Sequence, residues 1–265
     1  MRVRFDGVTV ALGGRDVVHE ASLTAESGAV VGLLGPNGSG KSTLLRTLYR
    51  AVRPRTGSVH LGDVDIAGMT GREAARAVAV MLQDPHTDFD LTVHELVLLG
   101  RSPHRRALGR ESSHDLEVVD QAMQSVGVDD LADRMIGTLS GGQRQRVMLA
   151  RALAQQTPVI VLDEPSNHLD IRHQIDLMTI IRGLDRTVIA ALHDLNLALQ
   201  YCDGVVVLVD GRVLAAGPPA EVLTPELIRT AFDVDARLLT DTDDRVLSFR
   251  APSALTTPRE SRLHT

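Results

Sequence analysis

Nine consecutive residues carry the first sign of chemistry: Gly35, Pro36, Asn37, Gly38, Ser39, Gly40, Lys41, Ser42 and Thr43. Their spacing is G-x-x-x-x-G-K-[ST], in which glycines let successive backbone N–H groups turn inward on an anion. The stretch follows "AVVGLLG", an apolar run that reads as a strand buried on both faces. It leads into "KSTLLRTLYRAV", which reads as a helix with Leu44, Leu45 and Leu48 on one face. An anion here would also meet the positive N-terminus of that helix. Lys41 is the single lysine of the chain, every other strong base being arginine. A pocket walled by backbone has room for a compact ammonium on a flexible stem, whereas a planar guanidinium is wider and has fixed donors. Lys41 is therefore expected to bridge β- and γ-phosphates from inside the loop, and Ser42 to offer its hydroxyl to Mg²⁺.

Further candidates stand at the ends of other apolar runs. "VIVLDEP" closes with Asp163 and Glu164, and open α/β sheets bind ligands at the C-terminal ends of their strands. Asp163 suits the Mg²⁺ shell and Glu164 suits polarising a water for attack on a γ-phosphate. The alternative is a pair of caps on the next helix. His193 ends "TVIAALH", and the same sheet edge would place it near the γ-phosphate, although it could equally be a polar strand end. Gln83 closes another apolar stretch and could ligate Mg²⁺ or hold water. "LSGGQRQR" opens a helix: Ser140 is a natural N-cap, and Gly141 and Gly142 allow an anion close to the backbone. It is either a second phosphate-type site or an ordinary capped helix.

The elements that must position these groups are legible in outline. Residues 1–30 alternate apolar and polar around Gly13-Gly14 and read as short antiparallel strands. Thr56–Gly68 reads as a hairpin turning near Gly62. Strand signals vanish from 90 to 155, where three helical segments follow one another, the first with a Thr92/Glu95 capping pair. They return at 158–165, 186–192 and 205–217 with helices between them, which argues for a parallel sheet. The expectation is one α/β domain over 1–250 with an all-helical insert, and a flexible tail over 251–265. The 265 residues are 43% hydrophobic and 23% charged, as in ordinary soluble proteins. Aromatics are 2%, so Leu, Val, Ile and Ala must build the core. One cysteine excludes an internal disulfide and suits a reducing compartment. The start shows no secretory h-region, and no apolar run reaches the roughly 18 residues of a membrane span. A net charge of −6 argues against nucleic acid as a partner.

Taken together and in order, these pieces resemble the ATPase subunit of ATP-binding cassette (ABC) transporters, over about residues 1–225. "GPNGSGKST" is similar to its Walker A motif, Gln83 to its Q-loop glutamine, and "LSGGQ", ending at Gln143, to its signature. "VIVLDEP" is similar to Walker B with its glutamate, "SNHLD", ending at Asp170, to the D-loop, and His193 to the switch histidine. The resemblance implies a P-loop NTPase core with a mixed sheet, an N-terminal antiparallel β subdomain and an all-helical insert. It implies a head-to-tail homodimer holding ATP and Mg²⁺ between Walker A of one copy and the signature of the other. It further implies a peripheral place on the cytoplasmic face of the membrane. There the insert and Q-loop would receive a helix of an integral permease, which takes its cargo from a substrate-binding protein. "TVHELVLLGRSPHRRALG" looks like the corresponding segment of importers for iron–siderophore chelates, haem and cobalamin. A soluble ABC ATPase of translation or DNA repair is the other class, but those carry paired cassettes or long coiled coils.

One position departs from the family. Where an aromatic usually stacks on adenine, alignment of "VTVALGGRD" places Leu12. An aliphatic face packs on the base with less stacking energy. Leu12→Tyr should therefore tighten ATP binding, read as a lower Kd in titration; an unchanged or raised Kd would count against the assignment.

Overall fold

Two long strands open the chain, β1 (Val3–Leu12) and β2 (Arg15–Ala25). They are joined by Gly13 and Gly14 at φ of 58° and 81°, the two-residue turn whose positive φ values match strand twist. The sequence suggested several short strands here. The structure instead carries β-bulges between Phe5 and Val8 and between Val8 and Val10, which slip the inward phase without ending the strand. The far edge of β1 pairs with β4 (Thr56–Leu61), and β5 (Val64–Asp65) folds back over Gly62, giving a sheet in the order β2-β1-β4-β5. The computed structural model describes residues 1–82, 90–105, 111–241 and 244–251, so Gln83 and the segment 252–265 lie outside the described residues.

The second sheet has the order β10-β9-β3-β8-β7-β6. Its strands are β3 (Val30–Leu34), β6 (Val78–Met81), β7 (Val159–Asp163), β8 (Thr187–Ala191) and β9 (Gly204–Val209), all parallel, with β10 (Arg212–Gly217) antiparallel at the edge. Every residue of β3, β7 and β8 is buried, which is why these strands read as unbroken apolar runs. Alternate residues serve opposite faces. Leu33, Val161 and Ile189 pack with α1 (Lys41–Leu48) and the first sheet, while Leu34, Leu162 and Ala190 pack with the helices on the other side. Leu33 and Asp163 both pair with Ala191, so three strands finish level at one edge of the sheet.

Between β6 and β7 lies the helical insert: α3 (Val93–Leu98), α4 (Ser113–Ser125) and α5 (Gly141–Ala154). Each begins with a reciprocal capping box: Thr92 with Glu95, Ser112 with Asp115, and Ser140 with Gln143. At the centre of the insert the buried Arg101 donates from Nε to Asp115 Oδ1 at 2.9 Å and from Nη1 to Ala154 O at 2.8 Å. The insert meets the rest of the chain at α2 (Gly71–Ala77), where Arg72 and Arg76 donate to the Pro103 carbonyl at 2.9 and 3.0 Å.

After α6 (Ile171–Arg182) and α7 (Leu195–Tyr201), the chain adds α8 (Pro219–Val222) and α9 (Pro225–Phe232). It then forms a separate hairpin of β11 (Asp235–Asp241) and β12 (Asp244–Arg250). Asn196 on α7 holds this hairpin through both halves of its amide. Its Oδ1 accepts from Leu247 N at 2.7 Å, and its Nδ2 donates to Leu247 O at 3.1 Å. Among the described residues no helix is long and apolar enough to cross a membrane.

The Arg101–Asp115 pair generates a stability prediction. Burial pushes the Asp115 carboxyl up, but the Ser112 hydroxyl and backbone and the Arg101 guanidinium outweigh it and hold it at about 2, against an ordinary 3.8. A depressed acid stabilises the fold above its unfolded value and loses that contribution as pH falls through its folded one. The wild type should therefore lose stability between about pH 4 and pH 2, and Asp115→Ala should show less of that loss. At neutral pH Asp115→Ala should cost about 3 to 5 kcal/mol in urea unfolding, because it leaves the Arg101 charge buried and unpaired.

Candidate functional site

The level strand ends are where the sequence candidates converge. β3 runs into the loop 35–40, and α1 starts at Lys41 with Gly40 as N-cap in the left-handed region at φ 100°. The loop is held from outside. Gly211, in the β9–β10 turn, donates its N–H to Ser39 O at 3.1 Å and accepts from His19 N at 2.8 Å. Gly35 has φ 146°, and a Cβ there would lie 2.1 Å from Leu208 O, so only glycine lets the loop leave β3 this close to β9. Val17, Asn37, Gly38, Ser39, Gly40, Lys41, Ser42, Thr43 and Glu164 together line a cleft of about 180 Å³.

The side chains in this cleft are poised around charge. Lys41 is buried and its Nζ donates to Gly35 O at 2.7 Å and Pro36 O at 3.1 Å. Burial pulls the ammonium below its ordinary range, against the opposing charges of Glu164 and Asp163. Ser42 donates from Oγ to Asp163 Oδ1 at 2.9 Å. Asp163 is pushed up by burial and by the Glu164 charge, with the Ser42 hydrogen bond working the other way. Glu164 sits in left-handed backbone at φ 56°, unusual for a residue with a side chain and the kind of strain that concentrates at functional sites. Its N–H donates to Ala191 O at 3.2 Å, and its two carboxylate oxygens accept from His193 Nε2 at 2.5 Å and from Asn167 Nδ2.

These residues fit a polyphosphate. The Ser39 hydroxyl is buried and has no hydrogen-bond partner among the described residues, and Lys41 supplies the positive charge of the loop. They also fit a hard divalent cation, because the Ser42 hydroxyl and the Asp163 carboxylate are adjacent oxygen donors in a locally negative place.

Other sequence candidates are not among the residues that line the cleft. Leu12 is at the end of β1, 39% exposed, and the residue of this hairpin that lines the cleft is Val17. Ser140 caps α5, with Gln143 N–H donating to its Oγ at 3.3 Å, and neither residue is part of the cleft lining. Asp170 caps α6 and accepts from the backbone and ring of His173, which hold its carboxyl below the usual range. Sequence reading missed Val17 and Asn167. Val17 is one ordinary residue of a strand, and Asn167 had only its nearness to Glu164 as a signal.

A glycine-rich loop between a buried strand and a helix, facing a strand that ends in paired carboxylates, defines a P-loop nucleotide-binding protein. Within that class the chain belongs to the ABC transporter family, whose pattern matches residues 18–167. The chain is 44% identical, over 92% of its length, to the cobalamin import ATP-binding protein of Halobacterium salinarum, and spans 61% of that relative's length. It is 41% identical to the ferric enterobactin transport ATP-binding protein of Escherichia coli, covering 91% of this chain and 90% of the relative. Among solved structures it resembles a dimeric post-hydrolysis state of an ATP-binding cassette bound to ADP and Pi. The TM-score is 0.72 at 26% identity, with 82% of this chain and 98% of that one covered.

Proposed function

We propose that this chain is the ATP-hydrolysing subunit of an ABC importer for an iron–siderophore or related metal chelate, working as a homodimer on the cytoplasmic face of a membrane. The observation that carries the reading is the contact of His193 with Glu164, which lines the same cleft as Lys41 and Ser42. Lys41 and the loop N–H groups hold the β- and γ-phosphates. Ser42 and Asp163 would hold Mg²⁺, whose chemistry there would be to neutralise charge on the phosphoryl oxygens. Glu164 takes the proton of the attacking water. His193 fixes the carboxylate from one side and Asn167 from the other, so the base is oriented before the water arrives. Gln83 is assigned to Mg²⁺ or the water.

Two copies enter the reading because the signature residues Ser140 to Gln143 of the same copy are not part of the cleft lining. Ser140 and the first N–H groups of α5 form a second anion-seeking end, and a head-to-tail partner would bring them to the γ-phosphate. The solved relative of similar fold is itself dimeric. Adenine would rest on aliphatic side chains near Leu12 and Val17.

A groove of about 590 Å³ between the helical insert and the rest of the chain supports the partnership with a permease. Leu82, Met148, Tyr49 and Arg151 line it, mixing apolar and basic surface as an amphipathic cytoplasmic helix would require. Iron chelates agree with the ferric enterobactin relative and with the segment 92–109. Cobalamin is the second reading, favoured by the 44% identity to a cobalamin import protein.

Glu164→Gln should bind ATP, lose hydrolysis by about a thousandfold and accumulate as an ATP-bound dimer in size-exclusion chromatography. Near-normal hydrolysis would remove Glu164 from the role of base. An inactive Ser140→Ala protein mixed with an inactive Lys41→Ala protein should regain ATPase activity as mixed dimers form, since each mixed dimer rebuilds one complete site. Confirmed mixed dimers with no activity would contradict the shared site. Growth of a deletion strain on single defined iron chelates, or on cobalamin, would separate the two cargo readings.

A further inference from the structure

His173 is a polar residue on the first turn of α6, outside the nucleotide cleft, yet it is held more tightly than its place suggests. Its backbone N–H and its ring Nδ1 both donate to Asp170 Oδ1, at 2.9 and 2.8 Å. The ring is thereby fixed in one orientation, and it lies against Gly142. A Cβ built on Gly142 would be 2.4 Å from His173 Cδ2 and 2.6 Å from Cγ. Gly142 is in the first turn of α5, whose opening is set by Ser140. By contrast, a Cβ on the neighbouring Gly141 would meet no atom closer than Leu169 Cδ2 at 3.9 Å. The two glycines therefore differ: Gly141 faces open space, and Gly142 is bare because an imidazole occupies the place of its side chain.

The ring also closes a short chain of contacts within one copy. Asn167 donates to Glu164, Gln174 donates to the Ser166 carbonyl at 3.1 Å, Asp170 caps α6, and His173 reaches α5. The segment after the carboxylate strand thus bears directly on the end of the helix that carries Ser140.

The geometry points to His173 as a positioning residue: seated on Gly142 and anchored by Asp170, its ring sets the pose in which the first turn of α5 meets the partner copy's nucleotide. This rests on the shared-site reading above. It gives Gly142 a reason different from close approach of phosphate, and the two reasons predict different outcomes. If Gly142 is bare for the ring, an added methyl does harm by displacing the ring, and does no further harm once the ring is gone. If Gly142 is bare for the nucleotide, the methyl does harm in either background.

The test uses full-length protein in the Glu164→Gln background, reading ATP-driven dimerisation by analytical ultracentrifugation. Kd for ATP on a separate Lys41-intact monomer sample serves as the folding control. His173→Ala and Gly142→Ala should each weaken dimerisation about tenfold while leaving monomer ATP affinity unchanged, and the double variant should also be weakened about tenfold rather than a hundredfold. In the Glu164-intact protein both single variants should lower kcat with little change in KM. His173→Asn, which keeps a donor for Asp170 but leaves room for a methyl, should restore part of the dimerisation lost in Gly142→Ala. Multiplicative losses in the double variant, or normal dimerisation of His173→Ala, would overturn the assignment of His173 alone. A Glu164→Gln protein that stays monomeric with ATP would overturn the shared site, and this inference with it.

Discussion

Lys41 holds one positive charge inside a box of backbone carbonyls, facing two carboxylates that it only partly neutralises. Burial pulls the Lys41 ammonium below its ordinary range, and burial together with the Glu164 charge pushes the Asp163 carboxyl above its own, against the Ser42 hydrogen bond. A polyphosphate with a divalent cation would bring both signs of charge to these groups at once. The rest of the fold can be understood as what keeps this arrangement from relaxing. β9 blocks the loop at Gly35, the β9–β10 turn and β2 clasp it at Ser39, and the parallel register places Asp163 level with the loop.

Much of this was legible in the residue order because the same local rules govern both. Apolar runs such as "AVVGLLG" and "VIVLDEP" are long enough for strands and too uniformly apolar for one exposed face, so burial on both sides followed. Capping residues marked the starts of α3 and α5 correctly, since a hydroxyl and an acid or amide three residues apart satisfy free N–H groups in any context. The bulges of β1 were not legible as bulges. A slipped alternation between Phe5 and Val8 looks like a strand end until the pairing with β2 shows that it is continuous.

What escaped sequence reading depends on contacts distant along the chain. The β11–β12 hairpin was not foreseen, although Ala236, Leu238 and Leu247 alternate with polar residues there. Its place is fixed by Asn196, which gives no sign in sequence that its amide matches a strand backbone. The role of Val17 is set by hairpin geometry, and that of His173 by an orientation that only the folded Asp170 imposes. In the candidate site, residues that act by chemical type could be read, and residues that act by location could not.

The junction between the helical insert and α2 has a mechanical meaning. Arg72 and Arg76 both reach across to one carbonyl, that of Pro103, with long side chains at an exposed surface. Arg72 also donates to the Arg105 carbonyl at 2.6 Å, and Gln155 at the end of α5 donates to the Val78 carbonyl at 3.1 Å, so the insert is fastened at several acceptors rather than one. A load placed on the insert along the neighbouring groove would therefore be shared among these carbonyls rather than concentrated at one of them.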